Sequence, residues 1–292
     1  MSESTQPQRS PLRLILTLLL AGVVPLAVGL WAAPRLMPKP QVGIARLNFD
    51  INDVSAYELT EQLAYARHDP AVQAVVLVIN SPGGYAASSE ELYFDVLNTR
   101  QELPVVAAID LIAASGAYYM AAAADEIYAK PTSLVGSIGV ISSPPEEPFL
   151  DDGIVTTGPY KAFGGTRDGF IRGAEASKFS FLEAVKTGRG ERLQVGLDFL
   201  SRAEVFGGIQ ALQYGLVDGL IANDEVVRRA AELAGLKDYD VVELYPLAFA
   251  DELGGTAASY RPPVIDAAKL LSPPVDLVPG LHFRYVDFPA TQ

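Results

Sequence analysis

Ser115 lies in the run Ala113-Ala114-Ser115-Gly116-Ala117-Tyr118-Tyr119, just after an apolar stretch from Val105 to Ile109. A serine held between a buried strand and a new helix is fixed in space. Its hydroxyl can point into a cleft that the first free N–H groups of the helix also face. That pairing suits a nucleophile with an oxyanion hole beside it. Taken alone, Ala-Ser-Gly at a helix start reads first as an N-cap, whose side chain binds a backbone N–H. The nucleophile reading needs partners elsewhere in the chain.

Three segments offer them. Ser81-Pro82-Gly83-Gly84 ends another apolar run, Ala74 to Ile79. Paired glycines permit positive φ and close approach of another chain, and their N–H groups can complete an oxyanion hole with that of Gly116. By itself, Pro-Gly is an ordinary turn. In Thr157-Gly158-Pro159-Tyr160-Lys161-Ala162-Phe163, Lys161 is flanked by aromatic and apolar residues, which favours partial burial. Burial disfavours the ammonium, and a neutral amine can accept the proton of a serine hydroxyl. A lysine snorkelling beside aromatics is the simpler alternative. In Gly136-Ser137-Ile138-Gly139-Val140, the Ser137 hydroxyl offers a group to orient the amine.

Composition removes most rival chemistries. The chain has no cysteine, so disulfides, thiol nucleophiles and Cys-based metal sites are excluded together. Its 2 histidines, His68 and His282, fall in a helix-like stretch and a Pro-rich segment, and each reads as a surface residue. A serine-histidine-aspartate triad and a His-rich metal site are therefore hard to build. No metal or cofactor is expected. After Pro40 there are 18 basic and 34 acidic residues, a net charge of −16. Such a surface repels nucleic acid.

The elements that must position these residues follow from periodicity. Val42 to Phe49, Ala74 to Ile79, Val105 to Ile109, Glu126 to Ala129 and Gly153 to Thr157 read as strands. Val54 to His68, Ser88 to Asn98, Ser115 to about Ala124, Phe179 to Lys186, Leu193 to Arg202 and Asp224 to Ala234 read as helices, the last capped by Gly235. Strands alternating with helices predict stacked βαβ units, a mainly parallel sheet and an α/β fold. From Pro246 onward proline and glycine become frequent, and this segment is expected to be a partly ordered tail or an arm.

At the other end, Leu14 to Ala33 is an uncharged 20-residue stretch interrupted by Pro25. At about 1.5 Å per residue it would span about 30 Å, the thickness of a hydrocarbon core. It predicts a transmembrane signal anchor that contacts lipid. It is long for the apolar region of a cleaved signal peptide. The resulting division is a tail over 1–13, an anchor over 14–33, a linker over 34–41, a catalytic domain over 42–245 and a tail or arm over 246–292. The catalytic domain is expected outside the cytoplasm.

Four motifs, in order, resemble the signal peptide peptidase A family of serine-lysine membrane peptidases. They are Asn80-Ser81-Pro82-Gly83-Gly84, Ala114-Ser115-Gly116-Ala117-Tyr118-Tyr119, Gly136-Ser137-Ile138-Gly139-Val140 and Gly158-Pro159-Tyr160-Lys161. A late stretch, Arg202-Ala203-Glu204-Val205-Phe206-Gly207 with Gly215-Leu216-Val217-Asp218, extends the likeness, which runs from about Val42 to Ala234. The resemblance implies a crotonase/Clp-protease-like fold, with Ser115 as nucleophile and Lys161 as general base. It further implies Ser137 orienting the lysine and Gly84 and Gly116 forming the oxyanion hole. It implies peptide substrates such as remnant signal peptides, and a homo-oligomer whose sites lie near subunit boundaries. The chain departs from many members in having Ala117 after Gly116 and Pro144-Pro145-Glu146-Glu147-Pro148 before the lysine segment. Two other readings share the motifs or the fold: a catalytically silent membrane scaffold and a crotonase-type acyl-CoA hydratase or isomerase. An apolar pocket beside Ser115, with Tyr118 in its wall, would favour small or hydrophobic substrate side chains.

Overall fold

The computed structural model describes residues 15, 17–36, 39–143, 155–252, 260–271 and 280–284. Contacts divide the chain into two units, Met1–Pro40 and Gln41–Gln292. In the first, a π-helical turn over Leu19–Val23 is followed by α1 (Val24–Leu36). The π turn interrupts regular α-helix, and α1 has 13 residues. Among the described residues no helix is long and apolar enough to cross a membrane. The expected span from Leu14 to Ala33 includes Leu14 and Leu16, which lie outside the described residues.

In the second unit the order is β1 (Gln41–Asn48), α2 (Asp53–His68), β2 (Val72–Ser81), β3 (Gly83–Tyr85), α3 (Ala86–Glu102), β4 (Val105–Ala114), α4 (Gly116–Ala121), β5 (Glu126–Ala129), β6 (Leu134–Gly136) and β7 (Ile141–Ser143). There follow α5 (Arg167–Arg189), α6 (Leu197–Leu200), β8 (Val205–Gly207), α7 (Gly208–Gln213), β9 (Gly219–Leu220), α8 (Asn223–Leu233), β10 (Asp240–Glu243), α9 (Tyr245–Ala248), α10 (Ala267–Leu271) and β11 (Gly280–Arg284). The main sheet runs β10-β1-β2-β4-β5-β9, and β6 joins β4 and β8. Its pairings are parallel except β6 with β8.

The side-chain period of two sorts this sheet into layers. Val75, Leu77 and Ile79 of β2 join Val105, Ala107 and Ile109 of β4 in a core that includes Leu59 and Leu63 of α2 and Leu92 and Val96 of α3. Ala74, Val76 and Val78 join Val106 and Ala108 in a core with Val226, Ala230 and Ala231 of α8 on the other face. Helices on both faces explain why the central strands are continuous apolar runs instead of alternating ones. The result is a mixed α/β fold with a mostly parallel sheet, as expected.

Several boundaries differ from the sequence reading. β4 continues five residues past Ile109 because Asp110, which ends the apolar run, is neutralised by Lys130 and hydrogen-bonded by Asn80 and Asn223. Phe179 to Lys186 is the core-facing end of the longer α5, whose N-cap Thr166 accepts from the N–H of Gly169 at 3.1 Å. Of Leu193 to Arg202, Leu197–Leu200 is α-helical. Of the strand expected over Gly153 to Thr157, the first two residues lie outside the described ones, and the other three are not strand. Pro144-Pro145-Glu146-Glu147-Pro148 also lies outside them. In the C-terminal segment, β11 inserts between β3 and β7 to form a separate three-stranded antiparallel sheet.

Candidate active site

Ser115 closes β4 and opens α4, so the central strand of the sheet aims it. Its backbone sits at φ 56° and ψ −125°, outside the regions an L-residue adopts cheaply. Two bonds hold this turn: the Ser115 N–H donates to the Gly136 carbonyl at 2.7 Å, and the Tyr119 N–H donates to the Ser115 carbonyl at 2.9 Å. The residue stands at the N-cap position, but its side chain makes no cap hydrogen bond. Ser115 is 1% exposed, and its Oγ has no hydrogen-bond partner among the described residues. The simple capping role is therefore absent. A buried, unpaired hydroxyl on a strained backbone is a combination that a purely structural serine avoids.

The glycine turn stands beside it, because β2 and β4 pair with Ser81 opposite Ala113. Within β3, the Gly83 carbonyl accepts from the Ile51 N–H and the Tyr85 N–H donates to the Ile51 carbonyl, each at 2.9 Å. Alternation then turns the N–H and C=O of Gly84 to the opposite edge, where Phe283 of β11 is its register partner. A Cβ on Gly84 would lie 1.9 Å from the Ile51 carbonyl oxygen, so glycine is required here by close backbone approach. Gly116, the first residue of α4, has an N–H with no intrahelical acceptor.

Ser137 follows β6, which lies alongside the end of β4 with Gly136 opposite Ala114. It is buried, adopts φ 54°, and its N–H donates to the Glu204 carbonyl at 2.8 Å. That bond anchors the turn to the late stretch around Glu204. Lys161 differs from expectation. It lies on an exposed turn, and no hydrogen bond among the described residues joins it to Ser115. The flanking rings do not cover it because Tyr160 and Phe163 pack edge-to-face on each other, centroids 5.8 Å apart.

Two further expectations change. Tyr118 is not a pocket wall: it is fully buried, and its hydroxyl donates to the Leu216 carbonyl at 2.8 Å. Burial pushes its phenol well above the usual range. Tyr118 thus fastens α4 to the late Gly215-Leu216-Val217-Asp218 stretch. His68 is exposed as expected, but His282 is 4% exposed, its ring 5.2 Å from that of Tyr85. Neither histidine bonds to Ser115. No cluster that could hold a metal ion exists among the described residues.

The support beneath the site includes residues that the sequence reading did not assign. Arg189, 1% exposed, makes two parallel 2.8 Å bonds to Asp218 and donates to the Gly215 carbonyl. Asp218 also accepts from the Ile127 N–H at 2.7 Å, tying α5 to β5. Burial alone would raise the Asp218 carboxyl; the hydrogen bonds and charge of Arg189, with the Ile127 N–H, hold it below its ordinary value. The signal was the Asp218 motif itself, but its distant arginine partner has no local mark in the sequence.

Parts of the sequence are similar to known proteins. Residues 98–237 match the model of peptidase family S49. The chain is 33% identical over 192 residues to Protease 4 of Salmonella typhi, covering 61% of this chain and 31% of that protein. It is 32% identical over 195 residues to Protease 4 of Haemophilus influenzae, covering 62% and 32%. It is also 37% identical over 90 residues to the chloroplastic serine protease SPPA of Arabidopsis thaliana, covering 31% and 13%. The chain thus spans about a third of the length of the two Protease 4 relatives. Ser115, Ser137 and Lys161 all fall inside the matched segment, and over residues 98–237 the chain carries a peptidase family S49 domain.

Proposed function

We propose that this chain is a serine endopeptidase in which Ser115 attacks a peptide carbonyl and Lys161, from a neighbouring copy, is the general base. The observation that carries the reading is the buried, unpartnered Ser115 Oγ on a strained strand-to-helix turn. The N–H groups of Gly84 and Gly116 stabilise the oxyanion. The amine takes the hydroxyl proton as the Oγ–C bond forms, then returns it to the leaving nitrogen as the peptide bond breaks. Water releases the acyl group by the same route, and Ser137 orients the amine. Crotonase/Clp-type kinship fits the layered parallel sheet.

The exposure of Lys161 supports a site shared between copies, since a second chain covering it would disfavour the ammonium. The same part of the chain exposes Val155, Tyr160, Ile171 and Phe179, apolar groups that a homo-oligomer would cover. Attachment to a membrane through Leu14–Ala33 is supported by the consecutive π turn and α1, where Leu20, Leu26, Leu30 and Trp31 are exposed. Remnant signal peptides and other membrane-derived or exported peptides outside the cytoplasm are the matching substrates.

Ser115→Ala and Lys161→Ala should each lower peptide cleavage by about a thousandfold or more while the fold persists. Mixing the two inactive variants under subunit exchange should restore cleavage. Near-normal turnover by either variant alone would sink the mechanism. The exposed Lys161 also favours a second reading, a catalytically silent scaffold; failure of a fluorophosphonate probe to label Ser115 in the assembled protein would select it.

A further inference from the structure

Asn80 opens the run Asn80-Ser81-Pro82-Gly83-Gly84, and it is 2% exposed. β2 and β4 pair residue for residue from Val75 with Val105 to Ile79 with Ile109, then shift. Ser81 next pairs with Ala113, so Asn80 alone stands opposite Asp110, Leu111 and Ile112. β4 thus carries a bulge of two extra residues, a device that is rare between parallel strands. Before the bulge, β4 pairs with β5. After it, Ile112, Ala113 and Ala114 pair with β6, and the Ser115 N–H donates to the Gly136 carbonyl at the end of β6. The bulge therefore sets the direction in which β4 delivers Ser115.

The extra residues need partners for their backbone groups. Asn80 Oδ1 accepts from the Leu111 N–H at 2.9 Å, and Asn80 Nδ2 donates to Asp110 Oδ2 at 3.4 Å. Ser133 Oγ donates to the Asp110 carbonyl at 2.9 Å, while Lys130 and Asn223 donate to the other carboxylate oxygen. Towards β1, the Asn80 carbonyl accepts from the Phe49 N–H at 2.8 Å, where the chain turns at φ 64°. That turn leads to Ile51, whose N–H donates to the Gly83 carbonyl and whose backbone lies against Gly84. One buried residue thus reaches both the strand end that carries Ser115 and the segment that braces Gly84.

We propose that Asn80 is a positioning residue of the peptidase site: its carboxamide fixes the bulge that aims Ser115, and its carbonyl fixes the turn that braces Gly84. The effect on catalysis rests on the reading of Ser115 as nucleophile; the effect on the turn does not. The side chain has to donate to a carboxylate and accept from an N–H at once, which a carboxamide does. Asn80→Asp keeps the acceptor and loses the donor. It also sets a second carboxylate against Asp110, where like charges repel. Adding Asp110→Asn restores the pair with the roles exchanged: the carboxamide at position 110 donates, and the carboxylate at position 80 accepts from it and from Leu111.

The test uses the full chain, with thermal unfolding checking that each variant folds. Asn80→Asp should lower kcat for peptide cleavage by about a hundredfold, the cost of misplacing a reacting group by about 1 Å, with KM little changed. The exchanged variant, Asn80→Asp with Asp110→Asn, should recover about tenfold or more of that loss. Amide hydrogen exchange reads the geometry without the chemistry. In Asn80→Asp the Leu111 and Ser115 amides should exchange about tenfold faster, while those of Val76 and Ala107, before the bulge, keep their protection. A residue that only adds to global stability would speed all four together. Uniform acceleration, an unchanged Ser115 amide, or a folded exchanged variant no better than Asn80→Asp would overturn the proposal. If Asn80→Asp alone does not fold, the exchanged variant decides: kcat within about tenfold of the parent chain supports the pairing, and a hundredfold loss overturns it. Local acceleration in a parent chain that cleaves nothing would leave the aiming role standing and remove the peptidase reading.

Discussion

The two unfavourable features of Ser115 have measurable costs. A positive-φ backbone on a non-glycine residue costs about 1–3 kcal/mol. A buried hydroxyl without a partner adds about 1–3 kcal/mol. Ser115→Ala removes the second and leaves the first, because alanine keeps the Cβ. The variant should therefore unfold at higher urea concentration, gaining about 1 kcal/mol or more. A capping serine predicts the opposite sign, a loss of about 1 kcal/mol. Equilibrium urea unfolding of the two proteins distinguishes them, and a destabilised alanine variant would mean that the hydroxyl has a structural partner. The sequence could name Ser115 as a candidate because apolar strand, serine and small residues are contiguous. It could not separate cap from nucleophile, since that depends on φ and on what the hydroxyl reaches. Lys161 illustrates the limit: aromatic neighbours in sequence suggested burial, but Tyr160 and Phe163 spend their surfaces on each other.

Among elements, legibility followed local content. α2 begins within one residue of expectation because Asn52 and Ser55 form a capping box, with the Asn52 side-chain Oδ1 accepting from the N–H groups of Val54 and Ser55. β2 and β4 were legible as apolar runs because both their faces are buried. The three-residue strands β3, β6 and β7 were not, since their pairing is set by distant partners and not by their own pattern. The first turns of α5 were hidden by Gly169 and Gly173, weak helix formers. Near its other end, α5 depends on a glycine for tertiary packing. A Cβ at Gly188 would lie 1.9 Å from the carbonyl oxygen of Ala122, just past the end of α4. Backbone, not a flexible side chain, is the obstacle. Gly188→Ala should thus cost about 1–3 kcal/mol despite alanine's better helix propensity, the usual penalty for overpacking. It should also slow labelling of Ser115 by a serine probe, because α4 is the element displaced. A gain in melting temperature would show that propensity outweighs the contact.

At the scale of the whole molecule, two electrostatic effects with opposite pH dependence act on the 41–292 unit. Its charge of −16 near neutrality is spread over an acidic surface, and the sequence pI is about 4.6. Lowering the pH from 7 towards 5 relieves that repulsion and should raise stability. The Arg189–Asp218 clamp works the other way. Its carboxyl is held below the ordinary aspartate value in the folded protein, so the clamp contributes fully above that ordinary value. The contribution is lost as pH falls through the folded value. Glu126, held down first by its hydrogen bonds from Arg229, adds to the same acid limb. Stability should therefore peak near pH 5 and fall steeply below about pH 4, the ordinary aspartate range. Salt separates the limbs: at about 0.15 M the screening length is about 8 Å, which weakens repulsion between exposed charges but barely touches the buried pair. Raising salt should flatten the curve between pH 5 and 7 and leave the acid limb in place. Asp218→Asn should shrink that acid limb, yet lie about 3–5 kcal/mol lower at pH 7, since it strands a buried guanidinium. Urea unfolding across pH 2.5–7 at two salt concentrations measures both limbs. An acid limb of unchanged size in Asp218→Asn would show that other carboxylates, and not this clamp between α5 and β5, set the lower limit of the fold.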